Sequence, residues 1–140
     1  MNDLPSTEED AKAQVHKFCM TLMRNDSAGL LNLFGKDALL FWGPYSFRGE
    51  DIKRWASELR EMFPVLFIKE KSLEVKGNQV RHEFLIESVT KDGQRAWLPC
   101  IGTYVLSEGR IQSLTIELLH GWLAVKKEDL ERVRPPPSTS

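Results

Sequence analysis

No apolar run in this sequence approaches the ~20 residues that cross a bilayer as a helix. No membrane-spanning helix and no membrane partner are expected. Charge of one sign is also lacking: 19 basic residues stand against 20 acidic ones, a formal net charge of −1. Without a basic stripe, a nucleic-acid partner is not expected. Cysteine is scarce. Cys19 and Cys100 lie far apart in apolar surroundings, which reads as two reduced core thiols and not a disulfide framework. No Cys/His cluster has zinc spacing, so no metal site is expected. Glycine-rich phosphate loops and nucleophile elbows are absent too, and no cofactor is expected. Residues 1–10 are polar and acidic, unlike a signal peptide. A reducing, cytoplasmic location is the resulting expectation.

What is present is an ordinary soluble composition, 41% apolar and 28% charged, on a chain long enough for one hydrophobic core. Residues 1–6 read as a flexible arm. Thr7 and the acids Glu8, Glu9 and Asp10 read as the capped, dipole-matched start of a helix. Ala11, Val15, Phe18, Cys19 and Leu22 then recur at helical spacing. Ser27 opens a second short helix carrying Leu30, Leu31 and Phe34. Lys36-Asp37 reads as a turn and 38–42 as a strand. Ile52, Trp55, Leu59 and Met62 mark a helix over 51–62, ended by Pro64. Four strands follow: 65–75, interrupted near Lys71-Ser72, then 79–90, 95–106 and 110–119. Gly77-Asn78, Asp92-Gly93 and Glu108-Gly109 are the turns between them. Helices come first and a meander last, which predicts an α+β domain over 7–122 with a curved antiparallel sheet. Residues 123–134 read as a terminal helix, and 135–140, with three prolines, as a disordered tail.

The stretch Leu39-Leu40-Phe41-Trp42-Gly43-Pro44-Tyr45-Ser46-Phe47-Arg48-Gly49-Glu50-Asp51-Ile52 runs an apolar strand through a Gly-Pro turn into a helix. Further on, Leu98-Pro99-Cys100-Ile101-Gly102-Thr103-Tyr104-Val105-Leu106-Ser107-Glu108-Gly109-Arg110-Ile111 is a glycine-containing apolar strand, a Glu-Gly turn and a new strand. Together these segments resemble the nuclear transport factor 2-like superfamily, in its SnoaL-like and limonene-epoxide-hydrolase-like branch. The resemblance spans roughly residues 8 to 120. It implies a cone-shaped fold, a bent sheet around a deep pocket and, often, a homodimer. Members include epoxide hydrolases, polyketide cyclases, isomerases, dehydratases and non-catalytic binding modules.

An epoxide hydrolase of this branch needs an arginine between two carboxylates, one to activate water and one to protonate the opening ring. By ungapped alignment from Gly102 and Gly109, the arginine position falls on Glu83 and the carboxylates on Leu85 and Ile116. The tyrosine and asparagine that help hold the water fall near Leu40 and Trp42. The cyclases' acid also falls at Ile116 and an isomerase's base near Trp42. None of the expected residues is present. A shifted register instead offers Arg81, His82 and Glu83, with Glu117 one residue past the expected acid. Along the 79–90 strand the two lines of reasoning disagree. Alternation puts Val80, His82, Phe84 and Ile86 on the core face, whereas the resemblance puts Glu83 and Leu85 there. Because the concave face of such a sheet lines a pocket, the expectation leans to Glu83 inward.

Three readings stay open. The first is binding of a hydrophobic small molecule in an apolar pocket lined by Leu40, Trp42, Leu85, Trp97 and Ile116, with the branch's catalytic acids missing. The second is a small lyase, isomerase or hydrolase with Glu83 or His82 as base and Arg81 as an electrostatic aid. The third is a dimeric protein-interaction module. A homodimer through the outer sheet face is expected because the last two strands carry apolar residues on both parities.

Overall fold

The computed structural model describes residues 8–119. The expectations for the N-terminal arm, the terminal helix and the proline-rich tail lie outside these residues. Three helices are present: α1 (Glu8–Met23), α2 (Ser27–Leu31) and α3 (Asp51–Met62). The strands are β1 (Phe34–Trp42), β2 (Tyr45–Arg48), β3 (Val65–Lys76), β4 (Gln79–Val89), β5 (Arg95–Ser107) and β6 (Arg110–Leu118). The buried face of α1 consists of Ala11, Val15, Phe18, Cys19 and Leu22, the residues marked by helical spacing. α3 likewise buries Ile52, Trp55, Ala56, Leu59 and Met62. The Arg60 guanidinium donates to the carbonyls of Phe63 and Pro64, satisfying acceptors just past the end of that helix.

Two local expectations differ from the structure. Phe34 belongs to β1 rather than to the second helix, and Lys36-Asp37 lies within that strand at an irregularity in its pairing. Asp26, not Ser27, caps α2, accepting from the Gly29 amide at 2.9 Å. β2 was not anticipated. It exists because Gly43, at φ 57°, and Pro44 reverse the chain so that Tyr45–Arg48 pairs back onto β1.

The six strands form one curved, unclosed sheet in the order β2-β1-β6-β5-β4-β3. Strands β3 to β6 are an antiparallel meander across the three expected turns. The sheet as a whole is mixed, because β1 pairs parallel with β6. Adjacent hairpins can only be antiparallel, but β1 and β6 are separated by the whole meander and by α3, so the connection between them is a crossover.

The helices lie on the concave face of the sheet, and an aromatic cluster joins the two layers. The Trp55 ring, on α3, lies 6.4 Å from that of Phe18, 5.7 Å from Trp42 and 6.5 Å from Phe47, centroid to centroid. Phe18 in turn meets Tyr104 edge-on at 5.8 Å. Each such ring, fully removed from water, contributes about 1.5–3 kcal/mol. Gly102 sits beneath this layer. A Cβ there would lie 3.2 Å from Tyr104 Cε1 and 3.3 Å from Phe84 Cε1, so the missing side chain is what lets both rings lie on the sheet.

A candidate site on the concave face of the sheet

Alternation along β4 decides which polar residues reach the interior. Val80, His82, Phe84, Ile86 and Ser88 are buried, while Arg81, Glu83, Leu85 and Glu87 face the other way. The inward orientation expected for Glu83 is therefore not the one observed. An ungapped alignment carries its phase from β5 back to β4 only if the intervening hairpin loops are equal in length. One residue of difference turns every side chain over.

The structure separates the three candidate catalytic residues. His82 is 1% exposed on the concave face. Arg81 and Glu83 lie on the convex face and pair with each other at 3.6 Å, and Glu83 also accepts from the Ser72 hydroxyl at 3.0 Å. The five candidate ligand residues divide likewise. Leu40, Trp42 and Ile116 lie on the concave face and are closed over by neighbouring side chains. Leu85 and Trp97 are on the convex face, half-buried and 45% exposed respectively. An open groove of about 530 Å³ lies at the β3–β4 hairpin, with Leu73, Val75 and Val80 on one side and Glu74 and Arg81 on the other.

His82 has a partner that alternation alone did not reveal. Its Nε2 lies 3.1 Å from Oε1 of Glu70, and His16 Nε2, on α1, lies 2.9 Å from the same oxygen. The His82 contact is close but not aligned as a hydrogen bond, and its Nδ1 has no partner among the described residues. The ring stacks on Phe84 at 4.8 Å and lies 6.3 Å from Tyr104. Glu70 reaches this face by alternation with Leu66 and Ile68, and a bulge follows it. The β3–β4 register shifts between Glu70 and Ser72, so Leu66, Ile68 and Glu70 face inward before the bulge, and Leu73 and Val75 after it. The signal was legible: apolar residues in 65–75 change parity around the interruption at Lys71-Ser72, which puts Glu70 in line with Leu66 and Ile68.

Electrostatics keep the interior uncharged. Burial pulls the His82 pKa down, opposed by the Glu70 carboxylate and reinforced by His16. Burial pushes the Cys19 and Cys100 thiols up to about 12 and holds the Tyr104 phenol well above its ordinary value. Trp42 Nε1 and Trp55 Nε1 are buried donors without partners among the described residues. The Tyr104 hydroxyl has the Cys19 thiol beside it, a weak partner. Among the described residues no group of His, Cys, Asp and Glu is arranged to hold a metal ion, and no helix is long and apolar enough to cross a membrane.

No protein-family model matches the chain, and no curated protein matches its sequence. Solved structures do match in shape. A protein assigned as a SnoaL-like polyketide cyclase from Jannaschia sp. CCS1 superposes with a TM-score of 0.74 at 16% identity, covering 98% of this chain and 100% of that one. An LEH-like epoxide hydrolase from M. tuberculosis gives 0.67 at 19% identity, over 89% and 92%. A de novo designed protein with a curved β-sheet gives 0.69 at 17% identity, over 91% and 97%. Likeness at this identity establishes the architecture, and activity has to be argued from the side chains.

Proposed function

From the nuclear transport factor 2-like fold that this chain adopts, we propose that it binds a mostly apolar small molecule against the concave face of its sheet. The carrying observation is the set of buried polar atoms there without partners among the described residues: Trp42 Nε1, Trp55 Nε1 and His82 Nδ1. A buried polar group left unpaired costs about 1–3 kcal/mol, and a ligand with two or three polar atoms on an apolar body offsets that cost. The structural neighbours include a polyketide cyclase-like protein and an epoxide hydrolase, whose names point to small organic substrates. Leu40, Trp42 and Ile116 are 0%, 1% and 2% exposed, so a ligand enters only as these side chains part.

At Ile116, where the resemblance places one of the branch's acids, the side chain transfers no proton, and the other position, set at Leu85, lies on the convex face. Epoxide hydrolysis above background is therefore not expected. A second reading, a small lyase, isomerase or hydrolase, rests on His82 with Glu70 at 3.1 Å. Arg81 and Glu83, on the opposite face, take no part in it. The buried free thiols Cys19 and Cys100 are in keeping with a reducing, cytoplasmic location.

A homodimer through the convex face belongs to the same reading, with a changed motive. Leu114, Ile116 and Leu118 in β6 all share the concave parity, and Thr115 and Glu117 between them are polar. The outward apolar residues lie instead at the other end of the sheet: Val65, Phe67 and Trp97 are 47%, 60% and 45% exposed, beside the half-buried Leu85.

The test is a thermal-shift and tryptophan-fluorescence screen against steroids, terpenoids and aromatic polyketides. A raised Tm together with changed tryptophan emission is expected for at least one class, because Trp42 and Trp55 line the site. Silence in both signals across the panel would overturn the ligand reading. Hydrolysis of an epoxide panel, lost in Glu83→Gln or Glu117→Gln, would restore the shifted catalytic set.

A further inference from the structure

We infer that Glu70 makes His82 the proton-handling group of the concave face, acting both as its positioning residue and as its link to solvent. The inference deepens the ligand reading and rests on it for its purpose, though not for its test. One carboxylate oxygen joins a histidine that is 1% exposed to one whose side chain is 52% exposed. The three residues come from α1, β3 and β4, so no local sequence motif produces them. Alternation with Leu66 and Ile68 turns Glu70 to the face of His82, and the bulge after it brings Leu73 opposite His82.

The arrangement assigns the two ring nitrogens. Nε2 faces a carboxylate oxygen, so it carries the proton, since two facing lone pairs would repel. A small ring rotation aligns that N–H with Oε1. Nδ1 is left as a lone pair directed into the interior, available to accept from a ligand hydroxyl or enol. The titratable and charged groups around His82 are His16 and Cys19 from α1, Glu70 from β3, and Tyr104 and Cys100 from β5. The two thiols and the phenol are held protonated, so Glu70 is the anion that faces the imidazole.

The proton bookkeeping closes. A ligand O–H gives its proton to Nδ1, and the bonding pair stays on the ligand oxygen as an alkoxide or enolate. The imidazolium passes its Nε2 proton to Glu70 Oε1. Glu70, whose side chain is 40% exposed, passes it to water. The sum is a ligand anion inside and a proton in solvent, and the reverse sequence protonates an anion. No oxidant or other co-reactant enters.

The competing explanation is that the trio merely ties α1 to the sheet. Imidazole ¹⁵N NMR of the full chain, with no ligand added, separates the two. In the unsubstituted protein the His82 signals should report a neutral ring protonated at Nε2. Glu70→Gln should shift His82 toward the other tautomer, and Glu70→Asp should restore part of the original pattern. His16→Gln, a change at a half-exposed position, should leave the tautomer unchanged, whereas Glu70→Gln should also slow solvent exchange of the His82 Nε2 proton by about tenfold or more. A purely structural tie lowers Tm in these variants but leaves tautomer and exchange untouched, and that result would overturn the inference. Because no ligand is present, failure of the relay and failure of the ligand screen are read independently.

Discussion

The two faces of β4 carry polar residues of opposite fate. On the convex face, Arg81 pairs with Glu83 at 3.6 Å and Lys69 with Glu87 at 3.5 Å, all four side chains in contact with water. On the concave face, His82 is nearly water-free and its nitrogens are not fully bonded. The convex charges are cheap to hold, because water solvates them whether or not they pair, and pairs of this kind contribute about 0–1 kcal/mol. The concave imidazole is expensive to hold, because the Glu70 contact at 3.1 Å replaces only part of the hydration it gave up. A charge in water says little about function. A polar group retained where water is excluded points to a use.

The comparison can be broken most forcefully at the aromatic layer over the concave face. Trp55→Ala removes the ring that contacts Phe18, Trp42 and Phe47, and about 3–5 kcal/mol of stability should go with it in urea unfolding. Next in size is Gly102→Val. The added Cβ meets Tyr104 and Phe84 at 3.2 and 3.3 Å, and overpacking of this kind costs about 1–3 kcal/mol. A stability unchanged within error would mean that the rings lie elsewhere.

His82→Phe sharpens the contrast, because it removes a buried polar group without leaving a hole. Stability near neutral pH should hold or rise by up to about 1–3 kcal/mol, while ligand-induced changes in Tm are lost. The pH dependence has a definite sign. The folded-state pKa of His82 is lowered by burial, so below the ordinary histidine pKa the unfolded chain binds a proton that the folded chain refuses. Stability should therefore fall as pH drops below about 6.5, down to the lowered folded value, and be level above it. In His82→Phe that part of the slope should vanish from urea midpoints measured between pH 4 and 8, a window of roughly the width over which a histidine titrates.

On the convex face the expected effects on the single chain are small. Phe67→Ser with Trp97→Ser should change its stability within about ±0.5 kcal/mol. Light scattering should nonetheless show a dimer becoming a monomer, and a parent protein that is monomeric at micromolar concentration would remove the dimer from the proposal. Glu83→Gln is the smallest effect. It breaks an exposed pair worth about 0–1 kcal/mol and should leave ligand-induced Tm shifts unchanged. A clear loss of ligand response there would place the site on the convex face.

The local grammar of the chain was legible because it depends on neighbours in sequence. Helical spacing identified all five buried residues of α1, and the parity of β4 pointed to His82. The turns at Asp92-Gly93 and Glu108-Gly109 are where the meander reverses. The candidate site was less legible, for one recurring reason. Strand phase can be counted within a strand but not carried across a loop or a bulge. Counting across the β4–β5 hairpin turned Glu83 and Leu85 inward, and counting through Lys71 without a bulge would hide Glu70.

The sequence by itself determined the α+β class, the meander, and the amphipathic faces of α1 and α3. These follow from periodicity and composition, which are properties of a few consecutive residues. Only the tertiary structure decided that β1 closes parallel on β6, that Arg81 and Glu83 stand apart from His82, and that His16, Glu70 and His82 meet at one oxygen. Residues 66 positions apart come within hydrogen-bonding reach there, about the span from His16 to His82. Such a meeting depends on how the strands twist, where one bulge falls and how a helix settles on the sheet, and no short window of sequence contains all three.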